Sequence, residues 1–545
     1  MKKILLALAV AALITPAALL SVGQTRLLTP AQKLQYAEAI IENYYVDTVA
    51  SDTLVSEAIR AMLHTLDPHS EYSTPEETKE LTQPLEGHFS GIGVQFNILR
   101  DTVCVVQTTA AGPSEKVGIL PGDRIIYVND TIFTHPKMDN SEVRARLRGP
   151  KGSVVNIKVK RGTSPELIDF RIVRDDIPVY SVDAAYMVTP DVGYIRVIRF
   201  AEETPKEVEK AISGLKKKGM ENLILDLEDN GGGFLGAAYG LASQFLKPGQ
   251  MVVYTQGDKM PPQYLRVQDR GLSGMLIGAP KAADIDRLVI MVNQYSASAS
   301  EIVSGAIQDN DRGLIVGRRT FGKGLVQRPF PFPDGSMIRL TTSRYYTPSG
   351  RLIQKPYKRG ESEAYRLDML TRYTSGELFS ADSIHFDESL KTKTLVNGRT
   401  VYGGGGIMPD VFVPVDTSLY STYYRDLVAR GTLNRTVTDY IDAHRADIRR
   451  QYADEDAYYA GFEVPRELID SLVAGGERDS ITYDEKGLET SRPMIEGIIR
   501  GLIARDIYTN GCYMRAVNRL NPVFRRALEV ITNEEEYNKY LGVKP

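Results

Sequence analysis

Three short segments of the 545-residue chain carry residue types that can do chemistry together. The first is Ser296-Ala297-Ser298-Ala299-Ser300-Glu301, which follows the apolar run Leu288–Val292 and opens a helical stretch through Val303 to Gln308. A serine at a strand-to-helix junction exposes its hydroxyl, and the unpaired N–H groups beside it form half of an oxyanion hole. The same residues also suit a plain helix N-cap, and their pattern leaves three serines open. The second segment is Phe321-Gly322-Lys323-Gly324-Leu325-Val326-Gln327. A free lysine, with a pKa of about 10.4, is a poor base at neutral pH. Burial lowers it to roughly 7–8, where it can take a proton from a serine. In an extended strand, Lys323 and Gln327 share a face, and the Gln327 side-chain carbonyl can orient the ammonium. The third segment is Asp226-Leu227-Glu228-Asp229-Asn230-Gly231-Gly232-Gly233-Phe234-Leu235-Gly236. Gly231, Gly233 and Gly236 match a dinucleotide fingerprint, with Asp258 as the ribose acid. However, Asp226, Glu228 and Asp229 crowd a turn where a pyrophosphate wants no anions. The segment reads better as a turn whose backbone N–H groups approach a reaction site closely.

Cys104 and Cys512 are the only cysteines, which excludes a disulfide scaffold, a zinc ribbon and an iron–sulfur site. There are six histidines. The rival base among them, His69, sits in the helix-terminating Asp67-Pro68-His69-Ser70, which reads as a structural corner. A formal net charge of -3 gives no basic surplus for a nucleic-acid partner. No metal and no cofactor are expected.

The elements that must position these segments fall into five stretches. Residues 1–23 have the anatomy of a secretory signal: Lys2 and Lys3, an apolar run Ile4–Leu20, then Ser21-Val22-Gly23. This places the chain outside the cytoplasm, in a periplasm or facing it from a membrane, held there only if the segment stays uncleaved. Residues 24–85 read as a helical arm that opens with the capping box Thr29-Pro30-Ala31-Gln32. Residues 86–175 are short β runs between glycine turns. Residues 176–415 alternate strands and helices, interrupted by a polar insertion at 355–400. Residues 416–545 are helical, with Ile495, Ile498, Ile499, Leu502 and Ile503 on one face.

The 86–175 stretch resembles a PDZ domain. Gly91-Ile92-Gly93-Val94 stands where that family has its carboxylate-binding loop, and Pro121-Gly122-Asp123 follows at PDZ spacing. Together with Leu66–Ser70, the Ser296–Ile302 and Phe321–Gly324 segments, Tyr346–Gln354 and Gly406–Asp410, the chain resembles the carboxyl-terminal processing, or tail-specific, serine peptidases over residues 30–415. The resemblance implies an α+β multidomain fold with a crotonase-like α/β (ββα) core. It implies an exported serine endopeptidase that holds protein or peptide substrates by their free C-terminal tails. The family's nucleophile precedes its base lysine by 25 residues, which selects Ser298 for Lys323. Gln327 matches the third catalytic residue, and Ala299 with Gly232 or Gly233 matches the oxyanion hole. Glu228 and Gly231 depart from the Arg and Pro usual in the family. The alternative from another class is an inactive PDZ scaffold or receptor for protein C-termini; keeping Ser298, Lys323 and Gln327 together argues against it.

Overall fold

The computed structural model describes residues 28–99, 101–109, 111–162, 164–268, 282–385 and 387–543. The signal expected over 1–23 lies outside the described residues. The chain divides into two compact units at Leu66/Asp67. The first holds α1 (Pro30–Tyr44) and α2 (Ser51–His64). Thr29 and Gln32 close the predicted capping box: Thr29 N donates to Gln32 Oε1 at 2.9 Å and Gln32 N to Thr29 Oγ1 at 3.3 Å.

The second unit begins at the expected helix break, Asp67–Ser70, and then departs from the helical reading given through residue 85. Its first element is a strand, β1 (Glu71–Ser73), followed by α3 (Pro75–Glu86). A three-residue strand carries no periodicity of its own and forms only because a partner strand lies beside it. Next come β2 (His88–Gly91), β3 (Val94–Leu99), β4 (Thr102–Thr108), β5 (Arg124–Val128), β6 (Thr131–Ile132), α4 (Asn140–Leu147), β7 (Val154–Lys160), β8 (Leu167–Val173) and β9 (Asp175–Pro178). Strands β3-β4-β5-β7-β8 form one antiparallel sheet, with β6 attached to β5, and β2 pairs with β9. Its core holds Val103, Val105, Ile125, Val155, Ile157 and Val159.

The α/β body follows: β10 (Val182–Met187), β11 (Val192–Val197), α5 (Thr204–Lys216), β12 (Asn222–Asp226), α6 (Leu235–Phe245), β13 (Met251–Gly257), β14 (Met260–Arg266), β15 (Leu288–Val292), α7 (Ala299–Asp309), β16 (Leu314–Gly317), β17 (Leu325–Pro331) and β18 (Met337–Tyr346). The 355–400 stretch contains α8 (Ser362–Arg366), α9 (Asp368–Thr374) and β19 (Lys391–Lys393), which pairs with β20 (Thr400–Tyr402). Then comes β21 (Val411–Phe412). The main sheet has the order β10-β11-β12-β15-β16-β21, parallel from β11 onward. A smaller sheet joins β17, β18, β13, β14 and β1.

Strands β12, β15 and β16 are buried at every position, as a parallel sheet requires when both its faces are covered. Leu223, Leu225, Ile290, Val292 and Ile315 pack with residues of α5, α6 and α7. The alternating residues Ile224, Val289, Met291 and Val316 pack instead against Val523, Phe524, Val530 and Ile531. Those four belong to α14 (Pro522–Thr532), reached after α10 (Thr422–Ala429), α11 (Thr432–Gln451), α12 (Arg466–Arg478) and α13 (Glu485–Ile507). Helices α10 to α13 share a separate apolar core. Among the described residues no helix is long and apolar enough to cross a membrane.

Candidate active site

The parallel strands β12 and β15 lie side by side and end in two adjoining turns. After β12, Asn230 is fully buried; its amide donates to Val197 O at 2.7 Å, and its Oδ1 accepts Gly232 N at 2.9 Å. Gly233 runs beside Phe200 as a parallel bridge, so close that a β-carbon there would stand 2.1 Å from Phe200 O. A β-carbon on Gly232, at φ 102°, would stand 2.8 Å from Ser298 Cβ and 3.0 Å from Ala299 N. The glycines are therefore needed for close approach to the serine turn, as well as for their backbone angles.

After β15, the three serines part company. Ser296 Oγ donates to Leu227 O at 2.7 Å and Ser300 Oγ to Asn230 O at 2.8 Å; both residues are fully buried and tie the two turns together. Ser298 alone keeps exposure to solvent. Its backbone has φ 56° and ψ -111°, an uncommon conformation for a residue with a side chain, at the N-terminus of α7. Among the described residues, neither Ala299 N nor Gly233 N donates to a protein acceptor. Gly232 N is occupied by Asn230, so Gly233 is the freer donor of the pair.

Glu301, one turn into α7 and fully buried, joins this turn to the lysine segment. Its carboxylate accepts Ser298 N at 2.8 Å, Thr320 Oγ1 at 2.6 Å, Gly322 N at 2.7 Å and Lys323 N at 2.9 Å. Burial pushes this carboxyl above its ordinary range, and the hydrogen bonds it accepts pull it back. From the other side the Tyr345 hydroxyl lies against Ser298 O, at 3.1 Å, and against Lys323 O. Burial, reinforced by the positive charge of Arg339, pulls the Lys323 amine down to about 8, against the opposing pull of Glu301, Glu71 and Asp67.

Lys323 precedes β17, and the partner strand β18 carries one extra residue, Thr342, opposite Val326 and Gln327. Lys323 and Gln327 therefore do not lie on one extended strand, and the shared face expected from strand alternation does not apply to this backbone. Gln327 Nε2 instead reaches Leu325 O at 3.2 Å and Thr341 Oγ1 at 3.3 Å. Thr341 Oγ1 donates in turn to Asp67 Oδ1 at 3.0 Å. Asp67 also accepts His69 N at 2.8 Å, Ser70 N at 2.9 Å and Ser70 Oγ at 2.6 Å. The Asp67–Ser70 corner is thus a bracket behind Gln327. His69 is within electrostatic reach of Lys323; burial and that positive charge lower its pKa to about 3, leaving a neutral ring hydrogen-bonded to Tyr365 Oη at 2.9 Å.

In the β-rich part, Ile92 O accepts Ser114 N at 3.0 Å and Gly93 O accepts Thr109 N at 2.9 Å. Among the described residues the N–H groups of Ile92 and Gly93 donate to no protein acceptor. Gly93 has φ 75°. Val94 then opens β3, which is the terminal strand of its sheet and leaves one edge unpaired.

Residues 191–359 match peptidase family S41, and residues 90–172 match the PDZ domain. The chain is 34% identical over 318 residues to the carboxy-terminal-processing protease of Bartonella bacilliformis, covering 58% of this chain and 70% of that one. The chain belongs to the carboxy-terminal-processing protease family. It is also 32% identical to the carboxy-terminal processing protease CtpB of Bacillus subtilis, over 59% of this chain and 65% of that protein, just under two thirds of its length. Among solved structures it is similar to a photosystem II D1 C-terminal processing protease, with a TM-score of 0.32 at 27% identity, over 59% of this chain and 90% of that one. Residues 423–509 match a family of unknown function. The S41 match ends before most of the 355–400 stretch.

Sequence reasoning passed over three positioning residues. Glu301 was legible: Ser298-Ala299-Ser300-Glu301 has the capping-box spacing. Thr341 and Tyr345 were not, because their partners lie tens of residues away. Glu228, where the family usually has Arg, is buried beside Asp226. It accepts Asn521 Nδ2 at 2.7 Å, and Arg318 lies 3.7 Å away.

Proposed function

We propose that the chain is an exported serine endopeptidase that captures protein or peptide substrates by their free C-terminal tails and cleaves them through an acyl-enzyme. The observation that carries this reading is the Glu301 carboxylate, which accepts the backbone N–H groups of both Ser298 and Lys323 and so holds nucleophile and base in one site. Neutral Lys323 takes the Ser298 hydroxyl proton as Oγ attacks the scissile carbonyl. The N–H of Ala299 with that of Gly233, the glycine N–H that Asn230 leaves unoccupied, receives the developing oxyanion; a single such donor is worth about 10²–10³ in rate. The Lys323 ammonium then returns its proton to the leaving amine. Water, deprotonated by the same lysine, hydrolyses the ester and frees Ser298. Gln327 is assigned to orient the ammonium through its side-chain carbonyl, its amide being held by Thr341, which in turn binds Asp67.

The tail is received at Gly91–Val94. The unengaged N–H groups of Ile92 and Gly93 suit a terminal carboxylate, and the free edge of β3 suits an added strand. Export rests on the Lys2–Gly23 pattern alone. Ser298→Ala and Lys323→Ala are each expected to abolish cleavage of an unstructured peptide while circular dichroism stays unchanged; near-normal turnover by Lys323→Ala would remove the reading. Amidating a peptide's C-terminus should weaken its binding, and equal affinity for free and amidated tails would remove the carboxylate cradle.

A further inference from the structure

The loop that carries Lys323 has a partner for every backbone polar group from Thr320 to Gly324. Thr320 N donates to Ile407 O at 3.1 Å, Phe321 N to Ser296 O at 3.0 Å and Gly324 N to Gln354 Oε1 at 2.8 Å. Glu301 takes the N–H groups of Gly322 and Lys323. On the carbonyl side, Gly322 O accepts Lys355 N at 2.9 Å, Gly324 O accepts Tyr345 N at 2.9 Å, and Lys323 O meets the Tyr345 hydroxyl. The two remaining carbonyls, Thr320 O and Phe321 O, are bound by one side chain, Arg372, at 2.8 and 3.0 Å.

Arg372 lies on α9, inside the 355–400 insertion and beyond the S41 match. It is 2% exposed. Its Nε is 3.1 Å from Asp368 and 3.8 Å from Glu377, and Glu377 also receives Arg319 at 2.7 Å. Burying a guanidinium is expensive even when it is paired, so its placement here points to a use other than packing. The geometry indicates that use. The peptide group between Phe321 and Gly322 receives the guanidinium at its C=O and gives its N–H to Glu301. A hydrogen bond at one end of a peptide strengthens the bond at its other end. Arg372 therefore acts on the same carboxylate that holds Ser298 N and Lys323 N.

We propose that the insertion is a clamp on the general-base loop and that Arg372 is its positioning residue, setting where Lys323 stands relative to Ser298. The proposal rests on Lys323 being the base. Because Arg372 meets neither substrate nor the reacting atoms, its loss is expected in turnover and not in substrate binding. A shift of about 1 Å in a reacting group costs on the order of 10²-fold in rate. Arg372→Ala in the full chain is therefore expected to lower kcat by roughly 10–100-fold with KM within about threefold. Arg372→Lys, with one centre of charge in place of a fork, should recover only part of the loss. Added guanidinium chloride at low concentration should raise the turnover of Arg372→Ala, whereas sodium chloride at equal ionic strength should not.

Wild-type kcat in Arg372→Ala, a loss carried by KM, or no response to guanidinium would each overturn the clamp. If Arg372→Ala does not fold, Asp368→Asn with Glu377→Gln tests the same point, because the arginine then loses the carboxylates that aim it. A reduced kcat at unchanged KM supports the clamp, and wild-type kcat overturns it. Lys323→Ala runs alongside: activity there would mean that the base is misassigned, whereas an inactive Lys323→Ala beside a fully active Arg372→Ala would mean that only the clamp is wrong.

Discussion

A lysine works as a base only to the extent that its amine is free of a proton. With Lys323 held at about 8, half of the molecules carry the neutral amine at pH 8. At pH 7 the fraction is roughly a tenth. The sign follows: kcat/KM for peptide cleavage should rise with pH, nearly tenfold per unit below about 7.5, and level off above about 8.5. Lys323→Arg should be inactive at every pH reached, since a guanidinium does not give up its proton in this range. A flat profile between pH 6 and 9, or cleavage by Lys323→Arg, would assign the base elsewhere. His69 is no substitute: with its pKa near 3 it is neutral throughout this window but too weakly basic to compete.

At the scale of elements, the site is where β12 and β15 end side by side, and this junction was legible because each strand is a short apolar run stopped by polar or glycine residues. What escaped the sequence depends on partners distant along the chain. Strand β1 exists only against β18, Lys323 stands outside β17 so that strand parity does not run from it to Gln327, and Arg372 is one arginine in a polar stretch whose acceptors lie some fifty residues upstream. Glu228 is a departure from the family pattern whose effect the structure makes readable. It links the turn after β12 to Asn521, the cap of α14, and burial, then the neighbouring Asp226 charge, raise its pKa well above the usual glutamate range. A carboxyl whose folded pKa is raised favours the folded state fully below its unfolded pKa of about 4.3. That advantage is lost as pH climbs through the folded pKa. Glu228→Gln keeps an acceptor for Asn521 and removes the titration. Thermal melts should therefore place it level with the wild type near pH 4 and above it near pH 9; parallel curves across that range would show that Glu228 carries no such burden.

For the whole molecule, the open question is what the helices after the core are for, and the sheet supplies one answer. A parallel sheet buried on both faces cannot leave Ile224, Val289, Met291 and Val316 uncovered, and α14 covers them with Val523, Phe524, Val530 and Ile531. Phe524 also meets Tyr194 edge to face, with ring centroids 5.5 Å apart. Tyr194 in turn hydrogen-bonds Asp226 at 2.5 Å, just before the glycine turn. Emptying a buried Phe site costs about 3–5 kcal/mol, a large share of the roughly 5–15 kcal/mol that a domain has in hand. A melting temperature does not say which body of a several-body chain has lost stability, so the test is where the loss falls. In Phe524→Ala, hydrogen exchange should quicken in β12 and β15 and leave β4 and β7 of the separate sheet as protected as before. Peptide turnover should fall with it, because the turn bearing Gly232 and Gly233 hangs from β12. If β12 and β15 keep their protection, α14 is an appendage; if β4 and β7 lose theirs equally, the α/β body and the PDZ-like sheet unfold as one cooperative unit by way of the helical region, whose α11 meets the sheet at Arg124–Asp442, 2.6 Å apart.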